Sequence, residues 1–264
     1  MIKQFKKFAL TAFATVMTVG VLGCGGGGGA AGAGTTLSWS SLVKPGEMTS
    51  ASLQGRLNQI GGDRSTALLL PPLSPDVNNA KLWVVSSTGD ALTILTTKAL
   101  SSNTVSAKGR QYDLRSNFGA TSTLVDLQGS INPNTNPASL SFNNSTVYSF
   151  SDNLNRPALQ RNMWGTWRGV AAGSVPHEIN LTVDEAGYAT GNTTLGHVLT
   201  GSLIARGDIT SYQVNLRGTR ESQRFSIDGI SLITQSNSEL QLLWELTDLD
   251  TGITSAASYR LERQ

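Results

Sequence analysis

The chain has 264 residues, with 20 Lys or Arg against 18 Asp or Glu, and its single cysteine is Cys24. Three of the basic residues fall in positions 1–23, which hold no acid, so the remainder has 17 basic against 18 acidic residues. This balance leaves no basic block for binding nucleic acid, and one cysteine permits no internal disulfide. The protein must therefore hold its fold by burial alone, over a length that allows one large or two small domains.

The start of the chain has the order of an export signal. A lysine-containing segment precedes the uncharged run 8–22, which is too short to span a bilayer as a mature anchor. The residues Val21-Leu22-Gly23-Cys24 follow, and they resemble the lipobox of bacterial lipoprotein signal peptides. The resemblance implies cleavage before Cys24 and acylation of its thiol and new amino group, for example with palmitate. Because Gly25 and not Asp follows, it also implies transport to the outer membrane.

A tether and two β domains are predicted after the signal peptide over 1–23. Residues 24–36 are the lipidated Cys24 and a Gly/Ala-rich stretch, whose composition cannot offset its ordering entropy. Beyond it, turn signals recur about every ten residues and apolar residues alternate with Ser, Thr, Asn and Gln, which is typical of short antiparallel strands. We therefore predict an all-β fold, with a smaller β domain over 37–158 and an antiparallel up-and-down barrel over 159–264. The segment 48–60 fits a helix face or a strand, and we favour a short helix.

The second domain has the clearer alternation. About eight strands joined by tight turns run from Trp164 to the end of the chain, and such a series of hairpins suits a closed barrel without free edges. Its predicted inward residues are Ile179, Leu181, Val183, Leu199, Leu203, Tyr212, Val214, Leu216, Phe225, Ile227, Leu240, Leu242, Trp244, Leu246, Tyr259 and Leu261. Almost all are bulky, which favours a packed interior over a ligand cup. If a ligand cavity does exist, Trp244 is its candidate wall.

A short motif relates this domain to a known superfamily. Gly165-Thr166-Trp167 opens the domain, and Arg260 lies in its last strand. This arrangement resembles the calycins (lipocalins, avidins and their relatives), whose eight-stranded barrels often begin with Gly-x-Trp. The resemblance implies that Gly165, Trp167 and Arg260 close one end of the barrel, with the arginine laid across the tryptophan.

Catalytic chemistry has little support in the sequence. His177 and His197 lie beside predicted turns and are expected to have no role, and no serine stands in a Gly-x-Ser-x-Gly motif. The segment 248–252 (DLDTG) has half the pattern of a calcium loop, but a polar hairpin turn explains it better. The sequence therefore predicts a protein that is not an enzyme and has no catalytic residues, no metal site and no cofactor.

We expect a lipid-anchored protein of the bacterial outer membrane, facing the periplasm or the surface. Its predicted function is non-catalytic binding or envelope support through protein surfaces. It would touch the membrane through its N-terminal lipid and a protein partner through its β domains, and it would not bind nucleic acid. The alternative is a small-ligand-binding or surface-receptor barrel, as in surface lipoproteins of the transferrin-binding type.

Overall fold

The computed structural model describes residues 55–60, 65–70, 79–99, 103–116, 119–132, 139–143, 146–150, 158–172, 176–206, 211–233 and 236–264. In these residues the chain forms sixteen strands and one short helix, arranged as two closed antiparallel barrels. The predicted all-β class, with a barrel in the C-terminal half, is confirmed. The signal peptide over 1–23, Cys24 and the tether up to residue 36 lie outside the described residues. None of the described helical residues makes a segment long and apolar enough to cross a bilayer.

The first barrel contains eight strands that pair in chain order. They are β1 (Gly55–Ile60), β2 (Thr66–Leu70), β3 (Asn79–Val85), β4 (Ala91–Ala99), β5 (Thr104–Asp113), β6 (Ser122–Asn132), β7 (Ser139–Phe142) and β8 (Thr146–Phe150). The last strand returns to the first, with Leu57 opposite Phe150. The sequence predicted a β domain here without predicting its closure. Closure gives every strand two neighbours and removes the free edges of an open sheet.

The segment 48–60 contains a strand where we favoured a helix. In β1, Arg56 lies opposite Leu68 of β2, and Gln59 lies opposite Tyr148 of β8. The helix prediction was wrong for residues 55–60, because pairing on both sides satisfies the backbone donors and acceptors that a helix would have satisfied internally. The first part of the segment, 48–54, lies outside the described residues.

The second barrel follows a short helix, α1 (Gln160–Met163). Its strands are β9 (Gly165–Ala171), β10 (Glu178–Val183), β11 (Tyr188–Thr193), β12 (Val198–Ala205), β13 (Ser211–Arg220), β14 (Gln223–Ile233), β15 (Glu239–Asp248) and β16 (Thr254–Arg263). The ring closes where β16 pairs with β9, with Leu261 opposite Gly169. The strands of the two barrels fall inside the predicted ranges 37–158 and 159–264, while the boundaries themselves stay predictions.

The alternation read from the sequence matches the interior of the second barrel. Of the predicted inward residues, all but Phe225 and Leu246 belong to one buried apolar cluster. Leu246 is partly buried and packs against this cluster, and Phe225 is also buried. Trp167, Met163 and Ala189 join the same cluster. A two-residue period therefore places one face of each strand in the core, as a half-buried strand requires.

At one end of the second barrel, the interior is filled by Trp167, and Arg263 and α1 pack over this side chain. We call this end the plug end (α1, Trp167 and Arg263). Trp167 is fully buried, and its indole N–H donates to the Met163 carbonyl at 2.8 Å. The guanidinium of Arg263 lies 4.7 Å from the centre of the Trp167 ring and donates to the Asn162 carbonyl. These contacts join the last strand, the first strand and α1 at a single point.

The arginine over Trp167 is Arg263, which corrects the assignment of Arg260. The side chain of Arg260 is 76% exposed and forms an ion pair with Glu239 at 2.8 Å. Tyr259 and Leu261 point into the barrel, so the same two-residue period brings Arg263 to the inner face and Arg260 to the outer one. Gly165 has φ of +128°, a conformation that L side chains rarely adopt, so glycine suits the start of β9.

The two barrels share a second apolar core between their outer faces. From the first barrel it takes Leu68, Leu70, Trp83, Val85, Leu92, Ile94, Tyr112 and Leu114, and from the second it takes Ile230, Leu243 and Ala256. Strands such as β2 and β3 are therefore buried on both faces. This explains the continuous apolar runs at Ala67–Leu70 and Leu82–Val85, which do not alternate. Both barrels fall within one compact unit.

Candidate functional site

The second barrel encloses a cavity at the end opposite the plug, which we call the hairpin end (the β11–β12, β13–β14 and β15–β16 turns). The cavity has a volume of about 330 Å³. Its deeper walls are apolar and consist of Leu199, Phe225, Ile227, Trp244 and Leu246. The bulky inward residues thus fill the plug end but not the hairpin end. The interior is part core and part cup, where the sequence favoured a packed core throughout.

Trp244 lies in the wall of this cavity. Its side chain is 3% exposed, and its ring meets that of Tyr259 at a centroid distance of 4.7 Å and an interplanar angle of 66°. On the neighbouring strand β16, Ala257 stands opposite Trp244. The small alanine leaves the space beside the indole open. Ligand contact by Trp244 stays a prediction, but the residue has the position such contact requires.

His177 and Tyr259 form a buried polar pair in the same wall. The Nε2 atom of His177 lies 2.7 Å from the hydroxyl oxygen of Tyr259, and the two rings meet edge to face. His177 is 8% exposed. Burial raises the pKa of Tyr259, so its hydroxyl keeps its proton at neutral pH. The pair places hydrogen-bonding atoms beside the apolar side chains of the wall.

His197 stands on the other side of the cavity. Its Nδ1 atom lies 2.9 Å from the hydroxyl oxygen of Thr193, and its ring packs edge to face on Phe225 at 5.1 Å. Burial, followed by the positive charges of Arg220 and His177, lowers the pKa of His197. The imidazole is therefore neutral at pH 7 and holds little cationic charge against the apolar wall.

Arg220 supplies a positive charge at the mouth of the cavity. It is exposed at the end of β13 and forms no ion pair with any residue in the described part of the chain. The nearby carboxylate of Asp248 accepts hydrogen bonds from the backbone N–H groups of Asp250 and Thr251 at 2.8 and 3.0 Å. These hydrogen bonds lower the pKa of Asp248. Since Asp248 is engaged by its own turn, Arg220 is the charge available to an anionic ligand.

The turn after β15 has the hairpin geometry expected of a polar turn. Asp248 closes it through the two amide contacts, and Asp250 pairs with Arg224 at 3.1 Å. Among the described residues, no three His, Cys, Asp or Glu side chains group as metal ligands. The calcium-loop reading of residues 248–252 therefore has no ligand set in this part of the chain.

The first barrel contributes one residue to the mouth. Gly119 has φ of +75°, and a Cβ atom there would lie 2.0 Å from the Ala256 carbonyl oxygen on β16. This close approach brings the next residue, Ala120, to the cavity rim. The sequence identified the wall at Trp244, but not the convergence of Arg220, both histidines and Ala120. Those residues are distant in the chain and meet only when both barrels are closed.

The fold defines the class of this protein as an all-β chain of two closed antiparallel barrels, the second carrying an end cavity. No known family matches the chain, and no curated protein matches it. Solved structures with weak similarity include the following two. A candidate outer membrane protein from Bacteroides fragilis is 12% identical, over 80% of this chain and 96% of that one, with a TM-score of 0.25. A DUF3598-family protein of unknown function from Nostoc punctiforme is 11% identical, over 80% and 94%, with a TM-score of 0.31. Scores this low carry no argument about fold or function.

Proposed function

We propose that this protein is a lipid-anchored protein of the bacterial outer membrane whose second barrel binds a small ligand without chemical turnover. The observation that carries the binding role is the cavity of about 330 Å³ at the hairpin end. Ligand sites are typically apolar pockets of roughly 300–1,000 Å³ with a few convergent polar groups. The cavity meets this description through Trp244, Arg220 and the His177–Tyr259 pair.

The anchor and the location rest on the sequence around Cys24. Its lipobox resemblance supports lipidation, and Gly25 supports onward sorting to the outer membrane. The Gly/Ala-rich stretch after it suits a tether between the lipid and the barrels. These features support the proposed location at the outer membrane, and the cavity supports the proposed ligand-binding function.

The ligand of the second barrel is an amphipathic molecule with an apolar body and an anionic group. Phe225, Ile227 and Leu199 would contact the body. Arg220 at the mouth, which forms no ion pair with a described residue, would meet the anion. Placing the charge at the rim keeps it in contact with water, so binding avoids the cost of burying an ion. The apolar body supplies the driving force, at roughly 25 cal/mol for each Å² buried.

Envelope support through protein surfaces remains the second candidate function, in which the barrels contact a protein partner. The exposed apolar residues Leu249 and Ile253 at the hairpin end favour such contact. A support role needs no empty interior, whereas a binding role does. Binding of a small molecule in the cavity would therefore favour the ligand-binding function over envelope support.

Decanoate is a suitable probe, followed through the tryptophan fluorescence of the chain and by isothermal titration calorimetry. We expect saturable binding to the wild type, loss of binding in Ser255→Phe, which fills the half-buried cavity wall, and at least about fivefold weaker binding in Arg220→Gln. The matched control is Arg217→Gln, an exposed arginine on the same strand that does not line the cavity. Absence of saturable binding in the wild type would reject the ligand-binding function.

A further inference from the structure

We propose that the first barrel holds a second, independent binding cavity, which takes a neutral and largely apolar molecule carrying a hydroxyl or carbonyl group. This cavity has a volume of about 370 Å³. Among the described residues, the two cavities have no lining residue in common. One chain would thus carry two sites of different ligand chemistry.

The cavity lies at one end of the first barrel. Its apolar walls come from inner-face residues of β3, β4, β6 and β7: Leu82, Val84, Leu95, Val125, Leu127 and Phe142. Val84, Val125 and Leu127 are only partly buried although they belong to the inner face. Apolar side chains that point inward and still retain exposure are those that line unfilled space.

The inner face of β5 carries small residues beside this cavity. Val105 and Ala107 enter the core of the first barrel, and Gly109 follows on the same face. A Cβ atom on Gly109 would lie 2.0 Å from the Ile94 carbonyl oxygen of β4, so the close backbone approach admits only glycine. Of the residues of β5, only Gln111 is among the described residues that line the cavity.

The polar groups of this cavity are neutral. The hydroxyl of Tyr148 lies 3.3 Å from that of Ser65, and the side-chain amide of Gln111 donates to the hydroxyl of Thr93 at 3.3 Å. Burial raises the pKa of Tyr148, which keeps the phenol protonated. None of the described residues that line the cavity is charged.

This lining selects against ions. An ion entering the cavity would lose its hydration without gaining a counter-charge, which strongly disfavours its binding. A hydroxyl or carbonyl can instead exchange water for Tyr148, Thr93 or Gln111, and such exchanges are nearly balanced. The second barrel differs because Arg220 stands at its mouth.

Calorimetry with 1-decanol and decanoate, which share a chain length and differ in charge, tests the proposal on the full chain. We expect decanol to bind the wild type, and Val125→Phe, which fills the first cavity, to abolish that binding without changing decanoate binding. Ser255→Phe in the second barrel should leave the decanol site intact. Tyr148→Phe keeps the shape and removes one hydroxyl, so it should weaken decanol binding roughly twofold to tenfold. Thr96→Val, on an exposed residue of β4, is the control.

Three results would overturn the proposal: no decanol binding by the wild type, decanol binding that survives Val125→Phe, or decanol binding that is lost in Ser255→Phe alone. If Val125→Phe does not fold, Tyr148→Phe and Thr93→Val decide, because unchanged decanol affinity in both contradicts the assigned site. Decanoate reports on the second barrel separately. Failure of one proposal is therefore visible without failure of the other.

Discussion

Tyr112 of the first barrel donates a hydrogen bond to the carboxylate of Glu245 in the second. The same hydroxyl lies 3.1 Å from the hydroxyl of Thr254 on β16. The phenol ring is fully buried in the core between the barrels, and burial with the Glu245 hydrogen bond raises the pKa of Tyr112 to about 12. This contact is a directional link beside the apolar core between the barrels.

Removing that link should destabilise the whole chain. Tyr112→Phe keeps the ring and leaves the Glu245 carboxylate without its donor in a partly buried place, so we expect a loss of about 1–3 kcal/mol in the free energy of unfolding. Urea denaturation measures it. Tyr188→Phe, at a residue 52% exposed, is the control and should change little. Equal effects in the two variants would contradict a specific role for the contact.

Arg263, which packs over Trp167, should contribute more to stability than the nearby Arg260. Arg263→Ala removes the charge above the indole and the donor to Asn162, and should cost about 1 kcal/mol. Arg260→Ala removes an exposed pair with Glu239 and should cost less than about 0.5 kcal/mol. Urea denaturation of both variants makes the comparison, and near-ultraviolet circular dichroism follows the packing of the aromatic side chains. A larger effect at Arg260 would reverse the assignment made from the structure.

Trp244 should behave as a core residue as well as a cavity wall. Trp244→Ala is expected to cost roughly 3–5 kcal/mol, the range for truncating a buried aromatic side chain. The chain offers a matched control in Trp164→Ala, since that side chain is 51% exposed and should lose about 1 kcal/mol or less. A loss below about 1 kcal/mol at Trp244 would place it outside the core.

The imidazole of His197 should titrate below its usual pKa near 6.5. Below that pH the unfolded chain takes up a proton more readily than the folded one, so the stability that His197 contributes is fully present above pH 6.5 and falls as pH drops through the lowered pKa. A pH titration of the ring by NMR measures the midpoint. Arg220→Gln should raise it and Arg217→Gln should not. A wild-type midpoint above 6.5 would contradict the packing around this ring.

Lipidation at Cys24 is open to a direct test. Cys24→Ser removes the acyl acceptor, so metabolic labelling with a palmitate analogue should mark the wild type and leave the variant unmarked. Gly25→Asp keeps the thiol and should stay labelled while remaining in the inner membrane. Label on the serine variant would show that the lipobox interpretation is wrong.

Period-two alternation predicted the second barrel because several of its strands, such as β10, are buried on one face only. Ile179, Leu181 and Val183 face the core and the residues between them face water, so the pattern survives in the sequence. The same reasoning failed to predict closure of the first barrel. Residues Ala67–Leu70 are buried on both faces, since one face lines the interior and the other meets the second barrel. In a continuous apolar run of this kind, apolar and polar residues do not alternate, so the sequence does not show which face of the strand lines the barrel.

The candidate site was predictable only in part, for a related reason. Trp244 stood out as a bulky residue in a regular stripe, but Arg220 and His197 lie beside turns, where a charged or polar residue is ordinary. Their convergence depends on barrel closure and on the register of β11 to β14. Arg260 was misassigned because the superfamily resemblance identifies an arginine in the last strand, not its face. The two-residue period from Leu261 leads to Arg263.

The apolar core between the barrels makes each of them an unsuitable independent module. A fragment carrying the first barrel alone would present Leu68, Trp83 and Ile94 to water, and its counterpart would present Ile230 and Leu243. Such a stripe promotes aggregation. Neither half could then be exchanged, duplicated or lost by recombination without its mate. Leu243 belongs to the second barrel but packs against the first. Selection on substitutions at Leu243 would therefore act through the stability of a barrel to which the residue does not belong.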